Sequence, residues 1–201
     1  MPELPEVETV VRGLGKVLIG QWIKDIRVLN KKSLADGQPK NIINKKVISL
    51  SRRGKLIIIN FTKDYTLLIH LKMTGQLIYI PKQHINRLNL GHPTHDFLAS
   101  MPSKHTRIIF QLTQGALYFN DQRKFGWVKI TPTSKVPQDQ FLVKLAPEPL
   151  TSRFNLDYLK SALQKKPSSY IKSVLLDQKM VAGLGNIYTD EVLYDANIPP
   201  T

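Results

Sequence analysis

Pro2, Glu3 and Glu6 lie within the opening run Met1-Pro2-Glu3-Leu4-Pro5-Glu6-Val7-Glu8-Thr9, and their types suit covalent chemistry. Met1 precedes a small residue, so enzymatic removal is expected to leave Pro2 with a free secondary amine. An α-amine titrates near ~8, below lysine at ~10.4, so a useful fraction is nucleophilic at neutral pH without burial. A secondary amine that attacks an aldehyde carbon forms a cationic iminium, an electron sink of the kind lysine supplies in Schiff-base enzymes. Glu3 and Glu6 are near enough in sequence to give and take protons. Proline and glutamate are also favoured in the first turn of a helix, so an ordinary helix start explains these residues as well.

A helix must position this amine, and the spacing predicts one. Val7, Val10, Val11, Leu14, Val17 and Leu18 recur on a single helical face. Pro2 then sits just ahead of a docked helix, whereas most chain ends fray. Residues 22–29, 46–51, 55–61, 65–71, 106–112 and 116–120 read as short aliphatic or β-branched strands separated by turn residues, the pattern of an antiparallel sandwich. A loop with His84, Gly91, Pro93 and Pro102 interrupts them. Past the Pro-containing stretches 131–134 and 146–149 the pattern turns helical over 155–164, 168–177 and 186–195, each opened by Asn or Ser in a capping position. The fold class expected is α+β. A leading α-helix and antiparallel β-sandwich occupy residues 1–130, a connecting segment 131–150, and a helical domain 151–201.

Charge narrows the partner. The chain has 201 residues with a formal net charge of +14, and the excess is uneven: 23 basic against 10 acidic side chains up to residue 150, but 6 against 5 beyond it. This is the electrostatic footprint of a polyanion binder, with nucleic acid foremost. Cysteine is absent, which excludes disulfides and cysteine-ligated zinc. His92 and His95 could share a metal, although their loop is polar and rich in Pro and Gly. No apolar run approaches the ~18 residues that mark a membrane span, and no charged-then-apolar leader opens the chain, so a cytoplasmic protein is expected.

Two further groups of residues suit DNA. In 171–186, Lys172 supplies a mobile cation, and Gly183-Leu184-Gly185-Asn186 turns into a helix whose N-terminus presents N–H groups to an anion. An ordinary helix–helix connection accounts for that turn almost equally well. Arg52-Arg53-Gly54-Lys55, His70-Leu71-Lys72-Met73-Thr74-Gly75 and Asn120-Asp121-Gln122-Arg123-Lys124-Phe125-Gly126 place basic and apolar tips at the ends of extended segments. Met73 and Phe125 could wedge into a base step while Arg123 bonds a base edge, or either apolar side chain could be core.

In their order these motifs resemble the formamidopyrimidine-DNA glycosylases, bifunctional repair enzymes that remove 8-oxoguanine and ring-opened purines. The resemblance runs from Met1 to Pro199, through Pro-Glu-Leu-Pro-Glu-Val-Glu-Thr, Arg-Arg-Gly-Lys, His-Leu-Lys-Met-Thr-Gly, Asn-Asp-Gln-Arg-Lys-Phe-Gly, Ala-Pro-Glu-Pro-Leu and Asp-Gln-Lys-Met-Val-Ala-Gly-Leu-Gly-Asn-Ile-Tyr. It implies catalytic roles for Pro2 as nucleophile at the sugar C1′, Glu3 as the acid that helps open the deoxyribose, Glu6 as a supporting carboxylate, and Lys55. It implies DNA contacts for His70, Arg107, Lys172 and Asn186. Met73, Arg123 and Phe125 would fill the gap left by an extruded nucleotide, with Arg123 facing the unpaired cytosine. The implied fold is a β-sandwich followed by a helix-two-turn-helix domain, here partial. The implied partner is double-stranded DNA containing oxidised purines or abasic sites, bound by a monomer, with no membrane and no metal used in the chemistry.

Departures bear on activity. Family members usually continue past the position matching Thr201, into more of the helical domain and a zinc finger, so a cofactor is expected to be absent from these residues. Gln122 and Lys124 stand where the family has Pro and Arg, and Ala146 replaces Gly. Lysine keeps the charge of arginine but not its bidentate fork. Two alternatives are a DNA-binding remnant that holds damage without cutting, and an endonuclease VIII-like enzyme for oxidised pyrimidines, against which Leu4 argues.

Overall fold

The structure, a computed structural model, describes residues 1–83, 87–93 and 99–200. It divides into two compact units, Met1–Val136 and Pro137–Thr201.

In the first unit, α1 (Leu4–Leu18) buries Val7, Val10, Val11, Leu14 and Leu18, the face that the spacing predicts. Glu3 caps it, and the Glu3 N–H donates to Glu6 Oε2 at 2.8 Å, satisfying a donor that the helix start would leave unpaired. Ten strands follow among the described residues: β1 (Ile23–Val28), β2 (Leu34–Asp36), β3 (Val47–Arg53), β4 (Leu56–Phe61), β5 (Tyr65–His70), β6 (Gly75–Pro81), β7 (Leu88–Gly91), β8 (Thr106–Leu112), β9 (Gly115–Asp121) and β10 (Trp127–Pro132). They form two five-stranded sheets, ordered β1-β8-β9-β6-β7 and β2-β10-β5-β4-β3. The core holds Leu14 and Leu18 of the helix with Ile57, Ile69, Leu77, Phe110 and Phe119 of the sheets. Pairing is antiparallel except between β2 and β10, which run parallel, so the sandwich departs from the expected pattern at one edge. Strands β2, β6, β7 and β10 extend the expected set.

The register gathers the sheet ends. Leu56 and Trp127 both pair with His70, while Gly75 pairs with Asp121. Three connections therefore meet at one end of the sandwich: the β3–β4 turn at Gly54-Lys55, the β5–β6 turn at Leu71–Thr74, and the β9–β10 loop at Gln122–Gly126. The last two carry the chain from one sheet to the other.

The second unit contains α2 (Gln140–Val143), α3 (Leu156–Gln164), α4 (Ile171–Leu176) and α5 (Asn186–Asp195). Leu175, Val181 and Leu193 form its buried cluster, with Phe154, Leu159 and Ile171 packed against them. Asn155 caps α3 as expected, its side chain accepting from Tyr158 N–H at 2.9 Å. The other two starts differ from expectation. Tyr170, not Ser168, precedes α4, and Gly185 precedes α5, which leaves Asn186 as the first helical residue with an exposed side chain.

Candidate active site and nucleic-acid interface

Pro2 and Glu3 are buried at the start of α1, while Met1 is exposed. Glu8, one turn on, accepts from Arg52 Nε at 2.8 Å and Arg12 Nε at 2.8 Å, which pins this end of the helix to the last residues of β3. The Arg52 guanidinium, followed by that of Arg12, holds the Glu8 carboxyl below its usual range. Lys55 lies buried in the next turn. Burial pushes its ammonium pKa down, the negative charges of Glu3 and Glu6 oppose that, and Lys72 adds to it. Of the expected catalytic set, Glu3, Glu6 and Lys55 thus interact electrostatically at one end of the sandwich, and Pro2 adjoins Glu3 in the chain.

His70 borders the same group and is also buried. Desolvation, reinforced by Lys72 and Lys55, depresses its pKa to about 3. The Lys72 backbone N–H donates to His70 Nδ1 at 3.0 Å, so the neutral ring carries its proton on Nε2. His70 is therefore a neutral ring whose Nε2–H is a hydrogen-bond donor, not a cation. Trp127, paired with it across the sheet, tilts against the ring with centroids 5.7 Å apart.

Met73 and Phe125 are 40% and 53% exposed, which excludes the core reading of either. Arg123 joins them: its Nη1 lies 3.1 Å from Met73 Sδ, and its guanidinium sits 4.9 Å from the Phe125 ring centroid. A cation flanked by two apolar tips is a shape suited to a gap in a base stack. Arg107 lies behind this cluster. It is buried, with Nε donating to the Asp121 carbonyl at 2.8 Å and Nη1 to the Lys104 carbonyl at 3.3 Å, so it props the base of the loop.

In the second unit, Lys172 Nζ pairs with Asp190 Oδ1 at 2.6 Å. Asp190 lies one helical turn beyond Asn186, so α5 presents Asn186 and the Lys172 partner on one face. The turn ahead of α5 is held by Gln178, whose Nε2 donates to the carbonyls of Leu176 and Leu184 while its Oε1 accepts from Gly183 N–H. Gly183 has φ +98°, the left-handed region that favours glycine. Neither Gln178 nor Asp190 stands out in the sequence, because each acts through a partner that only the fold supplies.

Among the described residues no group of three His, Asp or Glu could hold a metal, and the absence of cysteine means a four-cysteine zinc site does not fit these residues. His84 and His95 lie outside the described residues. No helix among the described residues is long and apolar enough to cross a membrane.

Residues 1–128 match the family description "Formamidopyrimidine-DNA glycosylase N-terminal domain", and residues 145–201 match "Formamidopyrimidine-DNA glycosylase H2TH domain". The chain belongs to the formamidopyrimidine-DNA glycosylase family. It is 39% identical over 204 residues to the formamidopyrimidine-DNA glycosylase of Ligilactobacillus salivarius, a match that spans 100% of this chain and 68% of that protein. The enzyme of Pelotomaculum thermopropionicum is 39% identical over 205 residues, with the same coverage of each. Among solved structures, the Lactococcus lactis glycosylase bound non-covalently to DNA containing an abasic site aligns at 34% identity with a TM-score of 0.85, covering 98% of this chain and 71% of that one. The wild-type L. lactis enzyme with DNA containing N7-benzyl-Fapy-dG aligns at 34% identity and a TM-score of 0.83, covering 99% and 69%. This family fold is the β-sandwich with leading helix and the helix-two-turn-helix region described above.

Proposed function

We propose that the protein is a base-excision repair enzyme that removes oxidised purines from duplex DNA and cleaves the resulting abasic site through an imine at Pro2. The observation that carries this reading is the convergence, at one end of the first unit, of a buried helix start bearing Pro2 and Glu3, a buried Lys55, a neutral His70 and an exposed Met73-Arg123-Phe125 cluster.

A base inside the stack is out of reach of a nucleophile, so it must first be turned out of the helix, at a cost of a few kcal/mol. The exposed cluster offsets this by occupying the vacated space, and the basic residues around it grip the phosphates. With Met1 removed, the Pro2 nitrogen attacks C1′, the bond from C1′ to the base breaks, and the base leaves with the electron pair and takes up the proton that the Pro2 nitrogen gives up. Glu3 gives a proton to the ring oxygen as the sugar opens, leaving an iminium between Pro2 and C1′. The iminium acidifies the C2′ proton. Its loss expels the 3′ phosphate, and a second elimination expels the 5′ phosphate, so the product is a gap with phosphates on both sides. Lys55, beside Glu3 and Glu6, holds a backbone phosphate of the extruded nucleotide.

Borohydride reduction tests the covalent step. The protein lacking Met1 should be trapped on DNA with an abasic site, Pro2→Gly should be trapped weakly, and a form that retains Met1 should not be trapped. Equal trapping with Met1 in place would remove Pro2 from the nucleophile's role.

A further inference from the structure

Asp121 is fully buried at the end of β9, yet the chemistry above gives it no task. Its carboxylate receives three donors from two different loops. Thr74 Oγ1 donates to Oδ1 in a short hydrogen bond, Arg123 N–H donates to the same oxygen at 3.2 Å, and Gly126 N–H donates to Oδ2 at 2.6 Å. Thr74 Oγ1 also accepts from Arg123 N–H at 3.0 Å, so the β5–β6 turn and the β9–β10 loop are tied to each other as well as to the carboxylate. Behind it, the Asp121 carbonyl is held by buried Arg107.

The tie lies directly under the wedge. Met73 precedes Thr74, and Arg123 and Phe125 lie between the two backbone donors to Asp121. Each apolar wedge residue follows a lysine in left-handed backbone, Lys72 at φ 51° and Lys124 at φ 60°, a conformation that a non-glycine residue keeps only when its surroundings impose it. Gly126 closes the second loop where there is no room for more. A Cβ there would lie 2.8 Å from Phe119 Cζ and 3.1 Å from both Asp121 Oδ2 and the His70 carbonyl.

We infer that Asp121, acting through Thr74, is the positioning residue that locks Met73 on one loop and Arg123 and Phe125 on the other into a single preformed wedge. Two loops held separately would each have to be ordered when the stack opens; loops held by one carboxylate enter it already ordered, with that entropy spent in folding. This rests on the reading of Met73, Arg123 and Phe125 as the residues that fill the vacated space.

The test uses Thr74→Val and Asp121→Asn, with Thr74→Ser as the conservative control. Valine removes the hydroxyl at nearly constant shape, and asparagine turns one acceptor into a donor facing a donor. In the free protein, amide exchange across residues 72–76 and 121–126 should quicken about tenfold or more in both variants and return to the parent rate in Thr74→Ser. On a duplex with 8-oxoguanine opposite cytosine, single-turnover excision should fall about tenfold to a hundredfold. Added to a Met73→Ala/Phe125→Ala protein, Thr74→Val should cost nothing further. Borohydride trapping on single-stranded abasic DNA, which has no stack to fill, should stay within about twofold of the parent, because the Pro2 chemistry is separate. Exchange and excision that match the parent in both variants, or a loss that persists undiminished without the wedge side chains, would overturn the assignment. A parent that neither traps nor excises would defeat the repair reading instead, while amide exchange still decides whether the carboxylate ties the loops.

Discussion

The two units hold their functional side chains in different ways. In the first, Glu3, Lys55, His70 and Asp121 are all buried, Glu3 at the cap of α1, Lys55 in the β3–β4 turn, and His70 and Asp121 at the ends of strands whose register is set by two sheets. In the second, Lys172 is 33% exposed, Asp190 is half-exposed, and the turn ahead of α5 leans on a single glutamine. Bond-making at one carbon demands that groups stay within a fraction of an ångström, and buried side chains on strand ends provide that. A phosphate is a large, mobile anion, and a partly solvated lysine can follow it. On the roles proposed for these residues, burial tracks the precision that each task needs.

The largest test of this contrast is stability. Leu14, fully buried in the large cluster, should cost about 3–5 kcal/mol as Leu14→Ala, whereas Leu193→Ala, with few buried neighbours to leave a rigid cavity, should cost about 2 kcal/mol. Both tryptophans, Trp22 and Trp127, lie in the first unit, so their fluorescence reports that unit's unfolding. Leu14→Ala should shift the fluorescence transition, and Leu193→Ala should shift the helical circular-dichroism signal with little effect on fluorescence. The contrast between the units fails if Leu193→Ala moves the tryptophan transition as far as Leu14→Ala does.

What could be read without the fold, and what could not, divides along a related line. The α1 face is legible because its period, from Val7 through Leu18, is set by backbone geometry alone. Strands β4, β5, β8 and β9 are legible as aliphatic runs long enough to bury two faces. β10 escapes because Lys129 and Pro132 interrupt a short run, and β7 because four residues inside a polar loop carry too little pattern. In the site, Pro2, Glu3 and Glu6 are neighbours in sequence, so their association needs no fold. Exposure of Met73 and Phe125 does not follow from their types, since the same side chains fill cores. The tie from Thr74 to Asp121 spans 47 positions and exists only through the β6–β9 register.

A smaller effect comes from pH, acting through His70 in the first unit. Folded His70 titrates near about 3, and the unfolded chain takes up the same proton near ~6.5. Above that range both states are neutral and His70 contributes nothing. As pH falls from about 6.5 towards 3 the unfolded chain gains the proton and the folded protein does not, so stability drops, by a few kcal/mol at most. Denaturant titrations should show a shallower decline over this window in His70→Gln than in the parent. Parallel curves would mean that the ring charges in the folded state, and with it the picture of a neutral donor would fall.

The smallest effect should come from the solvated side of the contrast. Lys172→Ala should lower the slope of log affinity against log salt by about one unit, since one phosphate contact releases about one counterion. Asp190 makes the test sharper. Its carboxylate meets Lys172 at 2.6 Å but is half-exposed, so the pair gains little on its own account. If Asp190 mainly offsets a charge meant for phosphate, Asp190→Asn should bind undamaged duplex slightly more tightly, by about twofold, because a negative charge near the backbone is gone. If it instead aims the lysine, Asp190→Asn should weaken binding in the direction of Lys172→Ala. The exposure of both groups favours the first outcome, because an ammonium with water on one side can re-aim itself without a partner. Affinities measured at several salt concentrations for the two variants, on the same undamaged duplex, decide the sign. A loss in Asp190→Asn as large as that in Lys172→Ala would show that this grip depends on aim after all, and would remove the difference drawn between the two units.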